Sequence, residues 1–253
     1  MDERTWQHGQ TPLSTLFFSG LHPVLRELNS PLWPSRDALN RIAIARNIVN
    51  QQGHPIRFVP ASTSPALQYE SHIATTGEIP TRDNWHDLLN ALQWLSYPVT
   101  KAAINAQHVA RIDASMQRCV ARDVLTMFDE SGIMVASADE SLLALVRDFQ
   151  WHTLFVTRRA DVIKHMRFTL FGHGLLEKSL SPFIGITAKA MLLHDGGDAA
   201  AANWLNTESN LAHARTLAPL PLLGIPGWDM RSEDATFYDN THYFRTGYRP
   251  KSA

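Results

Sequence analysis

The sequence predicts an α+β fold: a mixed, helix-rich single domain over residues 1–253, with a small antiparallel hairpin or sheet and an irregular aromatic and Pro-rich tail over 219–253. Three observations lead there. Segments of helical hydrophobic period are interleaved with short β-like runs, without the regular strand-helix alternation of a doubly wound sheet. A hydrophobic content of 44% in 253 residues is enough to bury a sizeable core. No internal repeat, low-complexity linker or Gly-rich phosphate loop divides the chain or points to a nucleotide-binding superfold.

Pro34-Ser35-Arg36-Asp37, followed by Leu39, Ile42, Ile44 and Ile48, reads as a capped amphipathic helix ending near Gly53, and Ile56 to Val59 as a short strand. Tyr69 to Pro80 reads as short extended pieces about a Thr75-Thr76-Gly77 turn. From Asp83 the period is helical, and Trp85, Leu88, Leu89, Leu92 and Leu95 share one arc that should face the core. Pro98 stops this helix, and Ser96 is the expected cap of a second one running to about Arg111, so the two meet at a tight corner. Asp123 to Ala136 reads as two β runs joined by Asp129-Glu130-Ser131-Gly132, with Gly132 supplying the positive φ of a hairpin turn. Ser137 or Asp139 caps a helix carrying Leu142, Leu143, Leu145, Val146 and Phe149. Trp151 to Val156 fits a strand or a helical piece, Gly172 to Ser181 a short helix, and Ile184 to Leu193 either state. The Ala-rich run from Asp198 to Leu217 predicts one further helix. Beyond Pro219, Trp228, Phe237, Tyr238, Tyr243 and Phe244 should anchor an ordered irregular tail.

The 23 Lys and Arg residues nearly balance 24 Asp and Glu, so no net field draws the chain to nucleic acid or an anionic membrane. The lone Cys119 excludes an internal disulfide and a Cys-based zinc site and suits a reducing cytoplasm. The N-terminus has no apolar signal region and no apolar run approaches the roughly 20 residues of a membrane span, so a soluble cytoplasmic protein is expected.

Chemically capable side chains are densest between Ile79 and Asn105. His86 and Asn90 lie four apart, with Gln93 beyond, as a polar stripe beside the leucine arc; Lys101, Asn105 and His108 repeat the pattern on the next helix. A corner at Pro98 would converge both stripes on one cleft edged by Asp83 and Asp87. Such a set supplies a His general base, a carboxylate to orient it or bind a metal, and Lys and Asn to stabilise an anion. The same residues also have plain structural uses: Asp83 or Asn84 as a helix cap, Asp87 at a helix N-terminus, His86 on a neighbouring carbonyl. In Phe171-Gly172-His173-Gly174-Leu175-Leu176-Glu177-Lys178, His173 and Glu177 stand at i and i+4. They could share a metal ion, but zinc normally wants a third protein ligand, so this site needs the His86 and Asp87 region beside it. Without that, His173 is a helix-start residue in contact with its own helix.

Other features carry less. Asp129-x-x-Gly lacks the alternating oxygen ligands of a calcium loop. Arg158, Arg159, Lys164, His165 and Arg167 form a basic face interrupted by Asp161, without a nucleic-acid-binding signature. Cys119, between Arg118 and Arg122, has no His-paired catalytic motif. Trp94 lies opposite the leucine arc and is expected to pack under another element.

Arg82-x-Asn84-Trp85-His86-Asp87-x-x-Asn90-Ala91-Leu92, Pro98-x-x-Lys101-x-x-x-Asn105, Arg122-Asp123 with Asp129-Glu130-x-Gly132, Phe171-Gly172-His173 with Glu177-Lys178, and Gly224-Ile225-Pro226-Gly227-Trp228 together resemble a bacterial family, domain of unknown function 3025. The resemblance covers nearly the whole chain and implies one integrated domain; it assigns no catalytic residue or cofactor. Asn90 to Leu95 is more distantly similar to a segment of the His-Asn-His nucleases, but those separate the base His from the Asn by a loop, whereas His86 and Asn90 share one helix turn here. These readings predict a hydrolase-like enzyme assisted by a divalent metal and acting on a small-molecule or phosphate-bearing ligand. Its candidate catalytic residues are His86, Asp87, Asn90, Lys101 and Asn105, and its candidate ligands His86, Asp87, His173 and Glu177. The alternatives are a non-catalytic binding or assembly module, working through its tryptophans and aromatic tail, and a divergent His-Asn-His-like nuclease.

Overall fold

The computed structural model describes residues 12–29, 32–61, 69–112 and 120–247. Cys119 lies outside these segments. The fold is α+β and 57% helical, with two small sheets, and none of its described helices is long and apolar enough to cross a membrane.

A 3-10 turn at Leu16–Leu21 leads into α1 (His22–Leu28) and α2 (Arg36–Ala45). The Ser35 hydroxyl caps α2 by accepting from the Ala38 amide, as its sequence predicts. The helix stops at Ala45 rather than near Gly53, because Asn47 turns left-handed (φ 50°) and Ile48 bonds back to Ala43. Strand β1 (Arg57–Val59) pairs in parallel with β2 (Glu78–Pro80). Between them Tyr69–Thr76 forms α3, where extended pieces were expected. Here Ile73 and Ala74 face the core, and the Thr75 and Thr76 hydroxyls donate to carbonyls one turn back, which makes the β-branched pair compatible with a helix.

The next two helices, α4 (Trp85–Ser96) and α5 (Pro98–Val109), meet at Pro98. Leu88, Leu89, Leu92 and Leu95 are fully buried, while Trp85 is half-buried, edge-on to Trp33. Trp94 is buried as well, since both sides of α4 are covered. Ser96 does not cap α5: the carboxylate of the distant Asp198 accepts from the Val99 and Thr100 amides at 2.8 and 2.7 Å.

The largest departure follows. Val120–Ser131 is a helix, α6, which runs straight into strand β3 (Gly132–Ala136), so no hairpin exists at Asp129 to Gly132. Val124, Leu125 and Phe128 form one inward helical face, and this burial outweighs the β-branched composition of the run. Gly132 is not in a positive-φ conformation; it is small because a Cβ there would lie 2.3 Å from the Phe128 carbonyl oxygen.

Helix α7 (Glu140–Arg147) is capped by Asp139, a π-helical turn spans Thr153–Thr157, and α8 (Arg159–His165) precedes β4 (Arg167–Leu170). Then come α9 (His173–Lys178), β5 (Thr187–Leu193), α10 (Asp198–Leu205), α11 (Glu208–Leu211) and β6 (Ala218–Pro221). The expected single helix over Asp198 to Leu217 is broken after Leu205, where the Asn210 side chain donates to the Trp204 carbonyl and the chain turns.

The main sheet has the order β4-β3-β5-β6, antiparallel except for the β3/β5 pair. It is covered on both faces. Ile133, Val135, Ala188 and Ala190 face the core shared with α4 and α7, whereas Met134, Ala136, Met191 and Leu193 face α6 and α10. A strand buried on both sides must be apolar throughout, as Ile133 to Ala136 is. The tail returns over the first face, where Phe237, Tyr238, Tyr243 and Phe244 pack on one another and Tyr243 donates to the Ile186 carbonyl.

Candidate metal centre

α4, α5, α6 and α9 enclose a group of polar side chains that begins deep in the fold and ends at the surface. At the deep end, Lys101 Nζ lies 2.5 Å from Asp129 Oδ1 and donates to Asn90 Oδ1 at 2.8 Å, and Asn90 Nδ2 donates to Tyr69 Oη at 3.2 Å. Lys101 also stands over the Trp94 ring at 5.7 Å. The α4 and α5 stripes therefore converge, at Asn90 and Lys101. Asn105, one turn further along the same face of α5, donates to both the backbone carbonyl and the carboxylate of Glu70.

Burial sets the protonation of this interior. It pushes the Asp129 carboxyl up, but the ammonium of Lys101 beside it holds it below its ordinary value. Burial raises Glu70 despite the Asn105 hydrogen bond, and lowers His108 to about 4. His108 is thereby kept neutral in the interior.

At the surface end two imidazoles meet. His86 Nε2, on α4, is 3.1 Å from His173 Nε2, at the first position of α9, with the rings edge-on at 4.5 Å. Glu177 Oε2 is 3.1 Å from His86 Nδ1, and Asp129 Oδ2 faces His173 Nδ1 at 3.8 Å. Glu130 Oε1 lies 3.5 Å from His173 Nε2. Among the described residues, one potential ligand atom each from His86, Glu130 and His173 lies within 4.8 Å of the others. Burial lowers His173, opposed by Asp129, so its imidazole is neutral.

Glycines make this approach feasible. A Cβ on Gly172 would sit 2.4 Å from the Ser131 and Gly132 amides, and one on Gly174 would sit 2.4 Å from Glu130 Oε2. The Gly-His-Gly sequence thus docks the start of α9 on the end of α6 and sets His173 beside Asp129 and Glu130.

The geometry sorts the sequence candidates. His86, His173 and Glu177 come together, and Lys101 and Asn90 join them through Asp129. Glu177 reaches His86 rather than sharing an ion with His173. Asp87 does not join: both its oxygens are held by Arg82, whose amide and guanidinium lie 2.7 to 3.0 Å away, and this pairing outweighs burial and lowers its pKa. Asp83 pairs with Arg36 instead. Asn105 belongs to Glu70, and His108 is buried with its Nδ1 unbonded.

Tyr69, Glu70, Asp129 and Glu130 were missed. The first two lay in a segment read as extended, and the last two in a supposed hairpin turn, where neighbouring residues point to opposite sides. In a helix, Asp129 and Glu130 are both near its C-terminal end and flank one incoming imidazole. Within the basic face, Arg158 pairs with Asp139 and Asp161, and Arg159 with Glu233.

No curated protein and no solved structure matches this chain. The profile of the family described as "Protein of unknown function (DUF3025)" matches residues 56–248, a span that contains every residue of the cluster from Tyr69 to Glu177. With this match over most of its length, the chain belongs to the DUF3025 family.

Proposed function

We propose that the protein is a metal-assisted hydrolase whose divalent ion is held by His86, His173 and Glu130. The observation that carries the reading is the pair of Nε2 atoms at 3.1 Å, with a carboxylate alongside and another facing each Nδ1. Two imidazole nitrogens bound at about 2.0–2.1 Å to one tetrahedral ion stand about 3.3 Å apart, close to the spacing found. Without an ion, one Nε2 must donate a proton to the other; an ion takes that proton's place. Three protein ligands leave a fourth position for water, the arrangement of catalytic rather than structural zinc sites.

An ion held there would supply an activated water at neutral pH. The chain's own groups prepare the site for it. Glu177 accepts from His86 Nδ1 and thereby leaves the His86 Nε2 lone pair free. Asp129, balanced by Lys101, faces the Nδ1 of His173 at 3.8 Å, beyond hydrogen-bond reach, and that buried nitrogen has no hydrogen-bond partner. Burial keeps His173 unprotonated, which ligation requires. The side chains of His86, Glu130 and Glu177 are 38, 45 and 44% exposed, so a substrate could reach an ion held by these residues.

The test is calorimetric titration of chelator-treated protein with Zn²⁺ and Mn²⁺, followed by assay of the loaded protein on p-nitrophenyl esters and phosphodiesters. One ion bound per chain, lost in His86→Ala and His173→Ala, with hydrolysis lost in parallel, is expected. Failure of either ion to bind stoichiometrically would overturn the metal assignment, and binding without hydrolysis across both substrate classes would overturn the enzymatic one.

A further inference from the structure

We infer that a second site, the cavity between the end of α7 and the C-terminal segment, binds a small organic anion with a flat apolar body, an aromatic carboxylate. The cavity holds about 480 Å³, within the range of sites for small ligands. Phe149, Trp151, Pro219, Pro221, Tyr243 and Arg245 form its principal walls. None of these groups belongs to the metal centre, so the two sites stand or fall separately.

The wall is apolar because its polar ends are engaged elsewhere. The Trp151 indole N–H donates to the Arg245 carbonyl at 2.8 Å; the Tyr243 hydroxyl donates to the Ile186 carbonyl at 2.8 Å and accepts from the Leu223 amide at 3.0 Å. Pro219 and Pro221, on the outermost strand of the sheet, have no N–H to offer. The rest of the lining offers a ligand ring faces, two threonines, Thr187 and Thr246, and two basic residues, Arg245 and His242. No lining residue is acidic, and among the described residues no carboxylate pairs with Arg245, whose Nε donates to the His242 carbonyl. A cation at the rim of an aromatic slot is complementary to an anion on a flat apolar body.

The backbone supplies an independent sign. The Gln150 amide bonds to the Leu145 carbonyl and the Phe149 amide to the Val146 carbonyl, the pairing that ends a helix with its next residue left-handed. Glycine normally occupies that position, yet Phe149 holds it at φ 56°. The strain is kept, and what the side chain contributes is a ring on the cavity wall, close-packed against Gly247, where a Cβ would lie 2.4 Å from the ring.

Calorimetric titration of the full chain with indole-3-acetate and with neutral indole tests this. Saturable binding of indole-3-acetate is expected, weaker by about tenfold or more in Arg245→Gln, in line with loss of one charged hydrogen bond, with indole unaffected by that change. Thr187→Trp, which fills the cavity from an exposed strand position, should abolish binding of both probes at an unchanged melting temperature. Absence of saturable binding up to millimolar probe, or equal affinity for both probes that Arg245→Gln leaves untouched, would overturn the assignment.

Discussion

The two ends of the polar cluster are built on opposite terms. At the inner end Lys101 is 5% and Asp129 18% exposed, and each is bonded within the protein. At the outer end Glu130 and Glu177 are near half exposed, and their remaining lone pairs face solvent. The difference follows from desolvation: a charge taken out of water must be completed by its neighbours, whereas one left at the surface keeps valences for a ligand. The inner end can therefore position groups, and the outer end can receive something.

The largest expected effect breaks the inner end. Lys101→Ala leaves Asp129 buried without its partner and should cost about 3–5 kcal/mol by urea denaturation, while the double variant Lys101→Met/Asp129→Leu should recover most of it. A loss of about 1 kcal/mol or less, the value of an exposed pair, would mean that Asp129 is solvated and that the contrast between the ends does not exist.

A second measurement titrates the inner end. His108 falls from 6.5 to about 4 on folding, so the native state binds fewer protons than the unfolded chain between those values. Its contribution is a loss of stability as pH drops from about 6.5 to about 4, on the order of 3 kcal/mol in full. Glu70, raised by burial, contributes in the opposite sense, so the informative quantity is wild type minus His108→Gln rather than either curve alone. A difference independent of pH would show that His108 is not desolvated.

The smallest effect on the fold belongs to the outer end. Glu177→Gln should leave the denaturation midpoint nearly unchanged, since the group is 44% exposed, and should weaken metal binding by about 10–100-fold through loss of the His86 orientation. Unchanged metal affinity would remove Glu177 from the site while leaving the His86, His173 and Glu130 set in question only on its own titration.

Legibility in the sequence followed the range of the interactions. The α4–α5 corner was readable because each signal is local: Asn84 accepts from the Asp87 amide as a cap, the leucines repeat at helical spacing, and Pro98 can occupy only a first turn. Asp123 to Ala136 was half readable. Ile133 to Ala136 is a strand, but Val124, Leu125 and Phe128 suit either period over so short a run, and packing against β5 and α10 selects the helix. With that segment misread, Asp129 and Glu130 could not be seen as one face of the site.

The sequence by itself determined the α+β class, the helices with their own caps and stops, and the presence of His86 and His173 in chemically rich stretches. Only the tertiary structure decided which groups share a site. His86 and His173 lie 87 positions apart, Asp198 caps a helix 98 positions before it, and Asp87 was withdrawn by an arginine five residues away. The physical reason is the same in each case: a side chain's partner is the nearest group able to satisfy its charge or hydrogen bond after the apolar faces have packed, and that packing is a property of the whole chain.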